Sequence, residues 1–150
     1  MRILVLNGPN LNLLGHREPD IYGLETLDDI EALMRNRADE YDDVDLEFLQ
    51  SNHEGVLIDA IQDHRDWDGL ILNGGAFTHT SVAIADAIAA TAIPTVEVHL
   101  SNIFAREEFR QHSFISPEAW GMITGFGYRG YLAALDMLID LLAEDDEPED

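Results

Sequence analysis

Two patterns of apolar residues follow one another repeatedly along this chain. Compact apolar runs bounded by Gly, Asn, Pro or Asp predict buried strands, and apolar residues spaced by three and four predict helices with one buried side. The predicted strands are Arg2–Asn7, Val44–Gln50, Gly69–Asn73, Thr95–His99 and Met122–Gly125. The predicted helices are Leu27–Glu40, Gly55–His64, Thr80–Thr91 and Tyr128–Ala143, with a short one near Arg106–Arg110.

The regular alternation of strand and helix predicts a parallel sheet that is covered on both faces. We therefore expect an α/β fold of flavodoxin-like or Rossmann-like type: a flavodoxin-like three-layer sandwich, with a five-stranded parallel sheet and helices on both faces. A length of 150 residues suits one such domain. We expect the domain to span residues 1–143, and the acidic residues 144–150 to form a disordered tail.

The first strand is followed by an unusually long loop. Roughly sixteen residues rich in Gly, Pro and Asn run from residue 8 to residue 23, whereas β–α junctions normally take about two to six. The loop and the strand end carry three amides, one guanidinium and one phenol: Asn7, Asn10, Asn12, Arg17 and Tyr22. Long loops at the carboxyl ends of parallel strands are typical of ligand sites. We interpret this loop as a lid over a small polar substrate.

Polar groups follow three of the predicted strands. They lie in the lid, in the segment Asn73–Thr80 and in the segment Glu97–Asn102. Because parallel strands all point the same way, we expect these segments to meet at one rim, at a switch point between strands 1 and 3. This convergence predicts an active site.

Two residue pairs at this rim are suited to proton transfer. Glu97 and His99 lie two apart on a strand and therefore share a face, where the carboxylate would orient the imidazole as a general acid. A solvated strand-end pair is the alternative. Arg17 lies five residues before Tyr22 and would stabilise a phenolate that acts as a base. The alternative, which the spacing alone favours, is a Tyr that packs the lid and an exposed Arg.

Further polar residues are candidates for ligand binding. Asn73 precedes Gly74, where backbone and substrate can approach closely, although it also suits a turn. His79 is expected to open a helix, with Asp86 seven residues further on the same face. These two residues could contact one ligand, one of them could serve a neighbouring subunit, or they could be ordinary helix-start and surface residues. The remaining histidines are interpreted as non-catalytic: His16, His53, His64 and His112.

The charge of the chain is extreme. It has 30 acidic and 8 basic residues, a net charge of −22, and every basic residue is Arg. Such a surface repels nucleic acid and anionic membranes, so we expect neither as a partner. An acidic partner-binding surface would explain the charge, but the spread of acids over helices and loops favours adaptation to high intracellular salt. With no cysteine, no signal peptide and no apolar run that would span a membrane, we expect a cytoplasmic protein.

Several familiar motifs are missing from the sequence. It has no chelating His-x-x-His pair, no G-x-G-x-x-G in the first β–α turn, no phosphate-binding G-x-x-x-x-G-K-[ST] and no G-x-S-x-G. We therefore expect no metal and no organic cofactor.

Several blocks of the sequence together resemble the type II 3-dehydroquinate dehydratases. The blocks are LNGPNLNLLGHREPDIYG, QSNHEG, LNGGAFTHTSVAIADA, VEVHLSNIFAREEFRQHSFIS and GFGYRGYLAAL. The resemblance runs from residue 2 to about residue 142, and the lid and EVHLSN blocks are highly specific. It implies a lyase of the shikimate pathway that converts 3-dehydroquinate to 3-dehydroshikimate without a cofactor, and self-association of trimers into a homododecamer.

The resemblance also implies a role for each site residue. Tyr22 would be the base, Arg17 would stabilise its phenolate, Asn10 would place a water at the enolate, and His99, oriented by Glu97, would be the acid. The ring hydroxyls would be bound by Asn73, His79, Arg110 and, from an adjacent subunit, Asp86. The substrate carboxylate would be bound at Leu100 and Ser101.

A non-catalytic flavodoxin-like binding module is the alternative from a different class. On that interpretation, the acidic surface recruits a partner and the lid closes over a metabolite. If the chain does dehydrate 3-dehydroquinate, the absence of Lys excludes a Schiff base on a side chain, so the reaction has to proceed by acid–base chemistry.

Overall fold

The computed structural model describes residues 1–146, which contain five strands and five α-helices; two helices lie between β1 and β2, and only 3₁₀ turns lie between β4 and β5. The strands are β1 (Arg2–Asn7), β2 (Asp45–Gln50), β3 (Gly69–Asn73), β4 (Thr95–His99) and β5 (Gly121–Thr124). The helices are α1 (Pro19–Tyr22), α2 (Leu27–Ala38), α3 (Glu54–Asp63), α4 (Val82–Thr91) and α5 (Arg129–Asp145). None of these helices is long and apolar enough to cross a membrane.

The strands form one parallel sheet in the order β2-β1-β3-β4-β5. This is the flavodoxin-like strand order, and the predicted fold class is therefore confirmed. The chain changes direction across the sheet between β1 and β3, where Asn7 is paired with Asn73. The predicted switch point lies at this pair, and ligands of such sheets bind outside the carboxyl ends of the strands.

Helices cover both faces of the sheet. Helices α2 and α5 pack on one face, and α3 and α4 pack on the other. The central strands are buried on both faces, as in other doubly wound sheets; β1 and β3 are therefore nearly continuous apolar runs, whereas β4 also carries the buried Glu97 and His99. Tyr131 of α5 is the largest of the fully buried side chains, and its ring packs in the core between α5 and the sheet.

Side-chain caps set where two of the helices begin. Thr26 and Asp29 form a reciprocal capping box at the start of α2. The Ser81 hydroxyl accepts a hydrogen bond from the Ile84 N–H at 3.0 Å and caps α4. For this reason α4 begins at Val82 rather than at the predicted Thr80. His79 ends a separate 3₁₀ turn, so the prediction that it opens the helix is wrong.

The other boundaries match the prediction or differ from it by one or two residues, and two regions differ in the kind of structure that they form. Residues near Arg106–Arg110 form two 3₁₀ turns, Ile103–Ala105 and Glu108–Arg110, because the backbone at Arg106 is extended and interrupts the helix. Helix α5 continues through Asp145, so the first two residues of the predicted disordered tail are helical. Residues 147–150 of that predicted tail lie outside the described residues.

Glycines allow the backbone at the start of the lid to pack directly against the turn that follows β3. A Cβ on Gly8 would lie 2.3 Å from the carbonyl oxygen of Gly74, and Gly75 has φ +56° beside Pro9. The Gly8 N–H donates to the Asn73 carbonyl at 2.8 Å. The start of the lid and the end of β3 are thus in contact, which brings the polar groups of both segments to one place.

Candidate active site

A pocket lies at the carboxyl ends of β1, β3 and β4, beneath the lid, which we define as residues 8–23. Nine of the eleven predicted site residues line it: Asn10, Arg17, Tyr22, Asn73, His79, His99, Leu100, Ser101 and Arg110. Three of the chain's eight arginines line this pocket, and among the described residues no carboxylate does. The pocket is therefore a cationic site in a strongly acidic chain, which suits an anionic ligand.

The strand side of the pocket holds the Glu97–His99 pair. Both residues are on β4 and share a face, with Glu97 0% and His99 5% exposed. The Nε2 atom of His99 lies 2.5 Å from Oε2 of Glu97. A buried carboxylate at this distance holds the imidazole in one orientation, as a general acid requires.

The lid side of the pocket holds Tyr22. Its hydroxyl oxygen accepts hydrogen bonds from Nη1 of Arg106 at 3.1 Å and from Nη2 of Arg17 at 3.4 Å. The two guanidinium carbons also lie 5.4 Å and 4.8 Å from the centre of the phenol ring. Two cations beside one phenol oxygen stabilise negative charge on that oxygen, which is what a tyrosine base needs.

Sequence reasoning missed Arg106. Its guanidinium joins the two sides of the pocket, since it also lies 3.3 Å from the Ser101 hydroxyl beyond the end of β4. The only sign of it in the sequence was its position four residues before Arg110, which was already a predicted site residue. A helix would bring these two residues to one face, but the backbone at Arg106 is extended, so it is two short 3₁₀ turns that place both arginines at the pocket. Glu107, between the two arginines, lies 3.1 Å from Nε of Arg110.

Asn73 lines the pocket with an amide that is held in one orientation. Its Oδ1 accepts from the Gly75 N–H at 3.1 Å, and its Nδ2 donates to the Tyr131 hydroxyl at 2.9 Å. The Tyr131 hydroxyl in turn donates to Oδ1 of Asn7 at 2.6 Å. Burial raises the pKa of Tyr131, so the phenol keeps its proton and continues to donate. One N–H of the Asn73 amide remains for a ligand.

His79 is fixed by the segment that follows Arg110. Its Nδ1 lies 2.8 Å from the His112 carbonyl oxygen, which can only accept, so we assign the proton to Nδ1. Burial lowers the pKa of His79; the charges of His99 and Arg110 lower it further, and the bond to His112 works against them. The neutral imidazole therefore presents Nε2 as a hydrogen-bond acceptor.

Two predicted site residues lie outside the pocket lining. Glu97 is behind His99, as an orienting residue would be. Asp86 is exposed on α4, and His79 belongs to the preceding turn. The expectation that these two residues share one helix face is therefore wrong, and within one chain they do not line the same pocket.

Asn10 enters the pocket from a strained position in the lid. Its φ is +66°, in the left-handed region, and its backbone N–H donates to Oδ1 of Asn52 at 3.0 Å. Asn tolerates this conformation better than most residues. Across residues 1–146, no group of three or more His, Asp or Glu side chains is placed to hold a metal ion.

Comparisons with known proteins agree on one family. The family model for dehydroquinase class II matches residues 1–139. A 3-dehydroquinate dehydratase of Dinoroseobacter shibae is 59% identical over 137 residues, which cover 91% of each chain. A 3-dehydroquinate dehydratase of an Exiguobacterium species is 59% identical over 140 residues, covering 93% of this chain and 95% of that one.

Solved structures agree with the sequence relatives. The crystal structure of a type II dehydroquinase from Butyrivibrio crossotus superposes with a TM-score of 0.89 at 46% identity, covering 93% of this chain and 97% of that one. A 3-dehydroquinate dehydratase-like protein from Bifidobacterium longum superposes with a TM-score of 0.70 at 29% identity, covering 95% of this chain and 98% of that one. This chain therefore belongs to the class II dehydroquinase family.

Proposed function

We propose that this chain is a hydro-lyase that converts 3-dehydroquinate to 3-dehydroshikimate in the shikimate pathway. Its relatives carry the name 3-dehydroquinate dehydratase over almost its whole length. The observation that carries the proposal is the pairing of two proton-transfer devices in one pocket. A phenol between two guanidiniums lies on the lid side, and a buried carboxylate–imidazole pair lies on the strand side.

The first step is removal of a proton from the carbon beside the substrate ketone. Tyr22, as phenolate, takes this proton, and the electron pair moves into the carbonyl to form an enolate. Arg17 and Arg106 stabilise the phenolate before the transfer, which makes a weak acid available as a base. Asn10 would place a water that donates to the enolate oxygen.

The second step is loss of the hydroxyl group. As the enolate carbonyl re-forms, the carbon–oxygen bond of the leaving hydroxyl breaks, and His99 donates the proton that turns hydroxide into water. Glu97 holds the imidazole toward the pocket and stabilises its charged form. The catalytic residues of the proposal are thus Tyr22 and His99.

The remaining pocket residues would bind the ring and the carboxylate of the substrate. The oriented amide of Asn73 and the unprotonated Nε2 of His79 suit ring hydroxyls, because one donates and the other accepts. Arg110 would hold a further hydroxyl. The substrate carboxylate would lie against Leu100 and Ser101, where the nearby guanidinium of Arg106 adds positive charge.

Self-association into trimers and a homododecamer belongs to the same proposal. Helix α4 exposes an apolar side, with Val82 53% exposed and Ala83, Ala89 and Ala90 also exposed. Asp86 lies on this side. If the face packs against another subunit, Asp86 would reach that subunit's site, as the family resemblance implies. No nucleic acid or membrane partner is proposed, and a cytoplasmic location remains a prediction from the sequence.

The test is to incubate the purified protein with 3-dehydroquinate and follow the conjugated enone of 3-dehydroshikimate. Turnover should survive EDTA, and it should survive borohydride added with substrate because the chain has no Lys to trap. The Tyr22→Phe variant should bind substrate without turnover, which separates an enzyme from a binding module. Absence of enone formation by the wild-type protein would reject the proposal.

A further inference from the structure

The buried Glu97 carboxylate is held by more than His99. The Ser113 hydroxyl lies 2.9 Å from Oε1 and 3.0 Å from Oε2, and the Ser116 hydroxyl donates to Oε1 at 2.8 Å. Glu97 is 0% exposed. Within residues 1–146, the hydrogen bonds that compensate its charge therefore come from these two hydroxyls and the His99 ring.

The direction of both hydroxyl hydrogens is fixed by their surroundings. The Ser113 oxygen accepts from the N–H groups of Ile115 and Ser116, each at 3.1 Å, so its own hydrogen is left to point at Glu97. The Ser116 hydroxyl has Glu97 at 2.8 Å, whereas its other neighbour, the Met122 sulfur, is 3.5 Å away and a weak acceptor. Both serines thus act as donors to the carboxylate.

The segment that carries the serines is anchored on both sides of the pocket. The His112 carbonyl accepts from Nδ1 of His79, and the Phe114 N–H donates to the Thr78 carbonyl at 3.0 Å. Ile115 is 0% exposed in the core next to α3 and α4. A rigid segment of this kind can impose a fixed position on the carboxylate that it contacts.

We propose that Ser113 and Ser116 are positioning residues that keep Glu97 ionised and fixed behind His99, so that the imidazole delivers its proton to the leaving hydroxyl. A buried carboxylate with only one partner would take the proton from the imidazole or rotate away from it. Two hydroxyl donors oppose both outcomes, because they favour the charged form and occupy the lone pairs that define its orientation. The inference rests on the proposed dehydration, since it assigns the serines to the second step.

Ser116→Ala is the cleaner test, because the Ser116 oxygen accepts no hydrogen bond within the described residues, whereas Ser113 also closes a turn. The variants are Ser116→Ala, Ser113→Ala and the conservative Ser116→Thr, each made in the wild type and in Glu97→Gln. The matched control is Ser81→Ala, which removes a buried hydroxyl and the cap of α4 without touching Glu97. Thermal unfolding of each variant identifies any that fail to fold.

The assay measures kcat, KM and the exchange of the abstracted proton with D2O. We expect Ser116→Ala to lower kcat about tenfold, with KM and the exchange rate changed less than about twofold, because a lost bond to a buried charge slows only the acid step. Ser116→Thr should retain kcat within about threefold. In Glu97→Gln, the same Ser116→Ala change should cost less than about twofold, because the coupled group is already absent.

Three results would overturn the inference: an unchanged kcat in Ser116→Ala, the same tenfold loss in the Glu97→Gln background, or an equal loss in Ser81→Ala. Should Ser113→Ala fail to fold, the Ser116 variants still decide the question. An inactive wild-type protein would instead reject the proposed function, so the two failures are distinguishable.

Discussion

The two sides of the pocket are built in different ways. On the strand side, Glu97 and His99 belong to a buried central strand, and both are held at fixed distances by buried partners. On the lid side, Tyr22 belongs to a long loop, and its hydroxyl is bound by two long, partly exposed arginine side chains. The proposed acid is thus positioned by the fold itself, whereas the proposed base depends on contacts from partly exposed side chains.

This difference separates the two steps of the proposed reaction. Burial and strand geometry preorganise the acid before substrate arrives, and the cost of fixing it is met during folding. The proposed base depends on two guanidiniums that contact its hydroxyl at 3.1 Å and 3.4 Å, so its strength depends on where these two side chains lie. Changes on the lid side should therefore stop the reaction at its start, and changes on the strand side should stop it halfway.

The largest expected effect is that of Tyr22→Phe, which removes the base. We expect kcat to fall by roughly a hundredfold or more, the range for loss of a general base, while substrate still binds. Proton exchange with solvent should fall together with dehydration. Retained exchange in Tyr22→Phe would show that the lid does not supply the base and would remove the contrast between the two sides.

His99→Ala tests the strand side and should give the opposite pattern. We expect dehydration to fall by roughly a hundredfold or more, because the leaving hydroxyl loses its acid. Exchange of the abstracted proton with D2O should persist, since Tyr22 and its guanidiniums are intact. NMR of the substrate in D2O measures both rates on one sample, and an equal fall in both would show that His99 is not specifically the acid.

A smaller effect is expected from the loss of either guanidinium that contacts the Tyr22 hydroxyl. Arg17→Lys and Arg106→Lys should each lower kcat by about tenfold or more, because a point charge does not reproduce a planar guanidinium at the phenol oxygen. The double variant should lose less than the product of the two single losses, since both act on one atom. Full additivity, measured in the same kinetic assay, would argue that the two arginines act at separate places.

The parts of this molecule that could be predicted are those encoded by short patterns of neighbouring residues. The buried strands β1 and β3 are nearly continuous apolar runs, so the sheet and its switch point could be predicted, as could the start of α2 at Leu27. Arg106 was not found, because its position depends on an extended residue between two short turns. The roles of Ser113 and Ser116 were not visible either, because their partner Glu97 is sixteen and nineteen residues away in sequence.

Acid should weaken substrate binding through His79, with a smaller effect than any substitution above. The folded-state pKa of His79 is lowered by burial, so its neutral form persists below the ordinary range for histidine. As pH falls through that lowered pKa, Nε2 gains a proton and can no longer accept, and KM should rise by about threefold to tenfold. The lowered pKa of His79 also makes the folded state less stable in acid: the loss begins as pH falls below the ordinary histidine pKa and is complete below the lowered folded-state pKa. His79→Gln should flatten the KM profile, and an unchanged profile would show that His79 does not accept from substrate.

Lowering the salt concentration should change activity least, and the change should be reversible. In the proposed homododecamer, the net charge of −22 per chain would repel neighbouring subunits over a Debye length of about 30 Å at 0.01 M salt, but only about 3 Å at 1 M. The Glu97–His99 pair is buried and is therefore shielded from this repulsion, whereas the lid and the exposed side of α4 are not. We therefore expect low salt to dissociate the oligomer and lower activity severalfold, and restored salt to reverse both. Sedimentation and activity measured on one sample from molar to millimolar KCl test this. An intact, fully active oligomer at millimolar salt would show that the acidity is not a salt adaptation and would favour a partner-binding surface.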